Sequence, residues 1–280
     1  VAHSFPTRRS SDLLAPGHRP REDASPPLAE FVVRAYRQPQ PGLEETLRAL
    51  VDREIPGWCT LRAVERRDER LLLVTDHCTG KPLAQAQPEG GTWSLASAAR
   101  LTSGLAQTLA ALHSQGLCAG GLDPEHVWLS ADGERLMLLR ARMPRPQKAL
   151  GRAAEGCGEG VFCAPEEAAG EGPGVKADVW SLVALLTWML RGKPLYEPGA
   201  RTVVSSRILL APAPNLAKLL PSLPAELASV LQRGLSKDAK QRGLSLAELG
   251  QALAVSAGVP AAASEPEASL MAASGPVSEP

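Results

Sequence analysis

From Val179 to Leu190, apolar residues cover nearly every direction of a helical wheel. A helix that is apolar all round is buried all round. This one is shorter than the roughly 20 apolar residues needed to cross a bilayer. Asp178 is placed to cap its start, and Gly192 with Pro194 to end it. The stretch therefore predicts the centre of a core, where each large side chain contributes roughly 1.5–3 kcal/mol on burial.

The pattern on either side changes period. Phe31-Val-Val-Arg-Ala-Tyr36 is a short strand with Arg34 inside it. Leu43, Leu47, Leu50 and Val51 have helical spacing, with Glu44 and Glu45 in the first turn, where the helix dipole favours them. Thr60–Val64 and Leu71–Val74 predict a hairpin around a charged turn. Thr79-Gly-Lys-Pro82 is expected to break structure. Ala98, Leu101, Leu105, Leu109 and Leu112 then mark one face of a helix. A Gly-rich loop follows over 117–126, and Ala131-Asp-Gly-Glu sits between two further short strands. Leu227, Val230 and Leu231 share a helix face, and Ser245-Leu-Ala-Glu248 is a capping box opening a final helix. Residues 256–280 are Ala, Pro, Ser and Glu, with too little apolar content to pack, and read as a disordered linker. A small strand-rich half followed by a larger helical half, joined near 76–82, predicts a two-lobed α+β architecture.

At 280 residues the chain can hold one large domain or two small lobes. Its formal net charge is zero, which argues against a general nucleic-acid or membrane-binding surface. The five cysteines are odd in number and include no Cys-x-x-Cys pair, so they read as free thiols of a reducing cytoplasm rather than as disulfides or zinc ligands. Residues 3–13, His-Ser-Phe-Pro-Thr-Arg-Arg-Ser-Ser-Asp-Leu, resemble the conceptual translation of a sequencing adapter. Residues 1–13 are therefore set aside as an artefact, and the chain is read as a fragment whose true N-terminus is missing.

The order of the remaining pieces resembles the eukaryotic-like protein kinase family, over about residues 14–255. Ala164-Pro165-Glu166 matches the end of that family's activation segment, and Asp178-Val-Trp-Ser-Leu182 the start of its central buried helix. Arg242 falls where the family places the partner of that Glu. Leu112-His113-x-x-Gly116 resembles the run into the catalytic loop, with Pro124-Glu125 inside the loop at the matching place. The resemblance implies a partial N-lobe over 14–80 and a C-lobe over 81–255. It also implies that Asp178 holds the catalytic-loop backbone and that Glu166 and Arg242 form a buried ion pair.

The catalytic positions depart from the family. Its loop reads His-Arg-Asp-Leu-Lys-Pro-Glu-Asn, whereas this chain reads Ala119-Gly-Gly-Leu-Asp-Pro-Glu-His126. The base position is Gly121, which has no side chain to accept a proton. The Lys that neutralises the moving phosphoryl group is Asp123, of opposite sign. The magnesium-holding Asn is His126, a poor ligand for a hard cation. The metal-binding Asp-Phe-Gly is replaced by Arg140-Ala-Arg142. A guanidinium about 4 Å from a divalent ion costs roughly 8 kcal/mol at an effective dielectric of about 20. Loss of a general base alone costs about 10²–10⁴ in rate, and phosphoryl transfer depends mostly on charge neutralisation.

Arg34 stands where the family has its nucleotide-anchoring Lys, keeping the charge but not the ammonium geometry. Glu45, or Glu44 with a register slip, would be its helix partner. Between Ala141 and Ala164 there is no Ser, Thr or Tyr, so a phosphate switch cannot be set there. Arg140, Arg142, Arg145, Lys148 and Arg152 instead form a basic run that could dock an acidic or phosphorylated protein. The sequence thus leads to a kinase-like domain that has lost phosphoryl transfer and acts as a regulatory or scaffolding module. No metal is expected, and ATP could bind without magnesium. The rival expectation is a weakly active or atypical ATP-dependent serine/threonine kinase.

Overall fold

The computed structural model describes residues 31–37, 42–138, 145–146, 160–172 and 174–258. The adapter-like residues, residues 259–280 of the expected linker, Arg140 and most of the basic run lie outside them, whereas Ser256, the first residue of that linker, ends a helix.

The small N-terminal region is a three-stranded antiparallel sheet in the order β1-β3-β2, from β1 (Phe31–Arg37), β2 (Leu61–Arg67) and β3 (Arg70–Asp76). On β3 the period-2 alternation buries Leu71, Leu73 and Thr75 and turns Leu72 and Val74 outward. Helix α1 (Leu43–Arg48) follows β1 and buries Leu43 and Leu47. It is shorter than the sequence pattern suggests. The chain turns after Arg48, so Leu50 is buried from a turn rather than from a helix.

A second sheet, β4-β6-β7, is built from β4 (Gly80–Pro82), β6 (Val127–Ser130) and β7 (Leu136–Leu138). Thr79–Pro82 was expected to break structure, yet Gly80–Pro82 is a strand. Pro at its last position is tolerated because β4 is an edge strand of this sheet. A two-stranded ribbon pairs β5 (Leu117–Cys118) with β8 (Arg145–Pro146).

The helical region is organised around α4 (Val175–Arg191), thirteen of whose side chains, from Ala177 to Met189, are buried. Asp178 does not cap this helix. Gly174 holds that position, and Asp178 sits in the first turn, pointing inward. Gly192 ends the helix in the left-handed conformation, φ 68°. Helix α2 (Leu95–Ser114) lies beside α4 and packs closely on α8 (Leu246–Ser256), where Ser103 donates to the Gly250 carbonyl at 2.9 Å. The Ser245–Glu248 capping box is formed. Helix α7 (Ala225–Gly234) approaches α4 so closely at Gly234 that a Cβ there would lie 2.8 Å from Val183 Cγ2. Among the described residues this region also holds α3 (Pro165–Ala168), α5 (Arg201–Leu210) and α6 (Leu216–Leu219).

One cysteine expectation is overturned. Cys59 and Cys78 are joined in a disulfide with Cα atoms 6.6 Å apart. The β2–β3 register pairs Leu61 with Thr75, which brings the residues just outside the hairpin together. Spacing in the sequence alone carries no such signal. Cys118 and Cys163 are buried thiols.

Candidate functional site

The loop between β5 and β6 is held from below by α4. Asp178 is fully buried and accepts hydrogen bonds from the backbone N–H groups of Ala119 at 2.8 Å and Gly120 at 2.9 Å. His113, in the last turn of α2, places Nε2 2.8 Å from the same carboxylate. The carboxylate can only accept, so Nε2 carries the proton. Three donors converge on one buried carboxylate, which would otherwise be costly to bury. Sequence reading missed His113 as a partner of Asp178. It was visible only as part of Leu112-His113-x-x-Gly116.

Fixed in this way, the loop takes an unusual path. Gly120 has φ 63° and Gly121 φ 99°. Both lie in the region that side chains disfavour. Gly121 therefore lacks a side chain and also has a backbone that would strain one.

Asp123 and His126 are brought together. His126 Nδ1 lies 2.7 and 2.6 Å from the two Asp123 carboxylate oxygens. Asp123 Oδ1 also accepts the backbone N–H groups of Glu125 at 2.9 Å and His126 at 3.0 Å. This is an Asx-type turn, foreshadowed by Asp before Pro in the sequence. The bond assigns the Nδ1 proton to His126, so a neutral ring presents Nε2 as an acceptor.

These groups do not suit magnesium. The Asp123 oxygens already serve three N–H donors, and an imidazole is a poor ligand for a hard cation. Among the described residues, no group of three His, Cys, Asp or Glu could hold a metal ion.

Glu166 and Arg242 also meet. Arg242 is fully buried and donates to both Glu166 oxygens, at 2.7 and 3.0 Å. Its remaining N–H groups go to Lys176 O at 2.6 Å and Ser236 O at 3.1 and 2.9 Å. All five guanidinium donors are used, and the group lies 5.3 Å from the Trp180 ring centroid.

In the small region, Arg34 faces Leu73 in the β1–β3 register, and its side chain lies outside the described residues. Glu45 is exposed on α1. Among the described residues, its neighbour Glu44 pairs with Arg48 and Arg66, each at 2.6 Å. Arg62 bridges Asp76, at 2.8 Å to both oxygens, and Asp52 at 2.9 Å. These two carboxylates raise its already high pKa.

Comparison with known proteins gives one family. The family model described as "Protein kinase domain" matches residues 47–252. The serine/threonine-protein kinase pkn2 of Myxococcus xanthus is 35% identical over 160 residues, covering 54% of this chain and 19% of that protein. The serine/threonine-protein kinase AtPK1/AtPK6 of Arabidopsis thaliana is 30% identical over 182 residues, 64% of this chain and 38% of that protein. The serine/threonine-protein kinase PkaA of Streptomyces coelicolor is 29% identical over 191 residues, 67% of this chain and 34% of that protein. The chain thus spans well under half the length of these relatives.

Proposed function

The chain belongs to the protein kinase family, and from that premise we propose that it is a member without phosphoryl transfer, acting as a regulatory or scaffolding module. One observation carries this reading: Gly121, at the position of the family's base, has no side chain and a left-handed backbone at φ 99°. Asp123, the nearest carboxylate in the loop, supports it further, because its oxygens are occupied by His126 and two backbone N–H groups. Arg140, at the sequence position of the metal-binding Asp, adds a fixed positive charge where the family recruits a cation.

In this reading Arg34 and Arg140 can pair with a triphosphate directly, so ATP binds without magnesium or not at all. Glu45 is the helix residue assigned to Arg34. The basic run over 140–152 is the docking strip for an acidic or phosphorylated protein. Its described part, β8, is tied to β5 at the entrance of the catalytic loop. The setting is cytoplasmic. No helix among the described residues is long and apolar enough to cross a membrane.

A second reading is favoured by a specific feature. Asp123 orients His126 so that Nε2 is an acceptor, which is what a substitute base requires. That reading is a weakly active or atypical serine/threonine kinase. Titration of ATP into the protein, with magnesium and with chelator, separates them. The first reading expects magnesium to weaken binding or to leave none to weaken, and magnesium-strengthened binding would favour the second.

A further inference from the structure

Among the described residues, two passages of chain connect the small sheet with the rest of the molecule, and they run side by side. One is the segment before β2. Pro56 O accepts from Thr108 of α2 at 2.6 Å, and Gly57 O accepts from Leu138 of β7 at 2.8 Å, so this segment is anchored in the large region before it enters the sheet at Leu61. The other is the three-residue link from the end of β3 at Asp76 to β4 at Gly80. A backbone hydrogen bond from Asp76 N to Thr60 O at 3.0 Å, and the Arg62–Asp76 ion pair between the adjoining strands, also hold them together. The Cys59–Cys78 disulfide joins them covalently at the same level.

We propose that Cys59 and Cys78 form a redox-switched brace across this joint, closed by a peroxide-class oxidant and opened by low-molecular-weight dithiols. Two separate crossings can shear and twist past one another, whereas a cross-link makes them one stiff ladder. The accessibilities suit a switch. Cys78 is only partly buried and meets the oxidant or reductant, while Cys59 is 4% exposed and resolves. On closing, the Cys78 thiolate attacks a peroxide oxygen, giving a sulfenic acid and hydroxide. The Cys59 sulfur then attacks the Cys78 sulfur, the S–S bond forms, and the sulfenic oxygen leaves as water. The net change is two thiols and one peroxide to one disulfide and two waters. On opening, one thiol of a dithiol attacks the Cys78 sulfur and Cys59 leaves as thiolate. The second thiol then displaces Cys78, and the dithiol becomes a cyclic disulfide. In a cytoplasm that keeps thiols reduced, the brace closes only under oxidation.

The test treats the full chain with hydrogen peroxide or with dithiothreitol, then quenches by alkylation. Peptide mass spectrometry should recover a Cys59–Cys78 cross-link after peroxide and two alkylated cysteines after dithiothreitol. Amides of residues 76–79 should exchange about tenfold more slowly in the oxidised protein. The melting temperature should fall by about 6–12 °C on reduction, as expected for a 19-residue separation in a domain of this size. Cys78→Ser should behave as reduced protein under both treatments. Full alkylation of both cysteines after peroxide would overturn the brace. A cross-link that leaves exchange at 76–79 unchanged would overturn the switch and leave only a staple. Both outcomes are read on the wild-type protein, whatever the folding of the variant.

Discussion

Arg242 grips Glu166 through two parallel bonds of 2.7 and 3.0 Å, with no part of the guanidinium exposed. The pair links the start of α3 to the segment before α8, 76 residues apart. A buried pair of this kind is weak evidence for net stability, but breaking it is expensive, because the remaining charge has no partner.

Arg242→Ala should therefore cost about 3–5 kcal/mol. It removes Glu166's partner together with three bonds to the carbonyls of Lys176 and Ser236. Thermal melts read the loss directly. A variant melting within about two degrees of wild type would mean that the pair contributes little to the fold.

The helix at the centre of the core supplies a second test. Leu185 and Trp180 on α4 are both fully buried. Leu185→Ala should cost about 2–5 kcal/mol, with the upper end expected if the surrounding core cannot close the cavity. Denaturant unfolding measures it, and a change below about 1 kcal/mol would contradict the placement of this helix at the centre.

Tyr196 offers a pH-dependent test. Its hydroxyl is buried with no hydrogen-bond partner among the described residues, and burial pushes its pKa up from 10.0 to about 12. The unfolded chain releases this proton from about pH 10, and the folded one only near pH 12. Between those values the unfolded state binds fewer protons, so stability falls as pH rises. Tyr196→Phe should flatten that alkaline limb and leave stability near neutral pH unchanged or slightly raised, since it deletes an unpaired buried group. An unchanged limb in the variant would assign the alkaline loss to other groups.

Much of this architecture was legible because it follows from period and punctuation. The strand of Phe31, the β2–β3 hairpin, the capping box at Ser245 and the buried helix before Gly192 each have a local cause in the sequence. Other features do not. Asp178 has the position and chemistry of a helix cap. Gly174 caps instead because the aspartate is needed inside, by two loop N–H groups and His113 some 60 residues earlier. Helix α5 was not foreseen, since Val203, Leu209 and Leu210 are exposed and blur its apolar face. The Cys59–Cys78 contact depends on hairpin register, while the Asp123–His126 bond belongs to a turn whose local signal, Asp before Pro, does not by itself specify the histidine. At the site, the substituted positions remain a reading of the sequence against the family's loop, whereas the left-handed backbone of Gly121 is a property of the folded loop.

That backbone gives a further prediction. Gly121→Asp restores the family's residue but not its geometry. A side chain at φ 99° costs about 1–3 kcal/mol. The variant should be less stable than wild type and no more active in phosphate transfer. A stable Gly121→Asp protein with new activity would show that the loop relaxes and that only the side chain is missing.

Loss of phosphoryl transfer can be read out by following the γ-phosphate of labelled ATP. The folded protein is incubated with a Ser- and Thr-rich acceptor protein, once with magnesium and once with chelator, beside heat-unfolded protein and His126→Ala. No transfer above the unfolded control is expected in either condition, because Gly121 offers no base and Asp123 is held by His126. Magnesium-stimulated transfer by the folded protein would contradict it, and the loss of that transfer in His126→Ala would identify the histidine as the base.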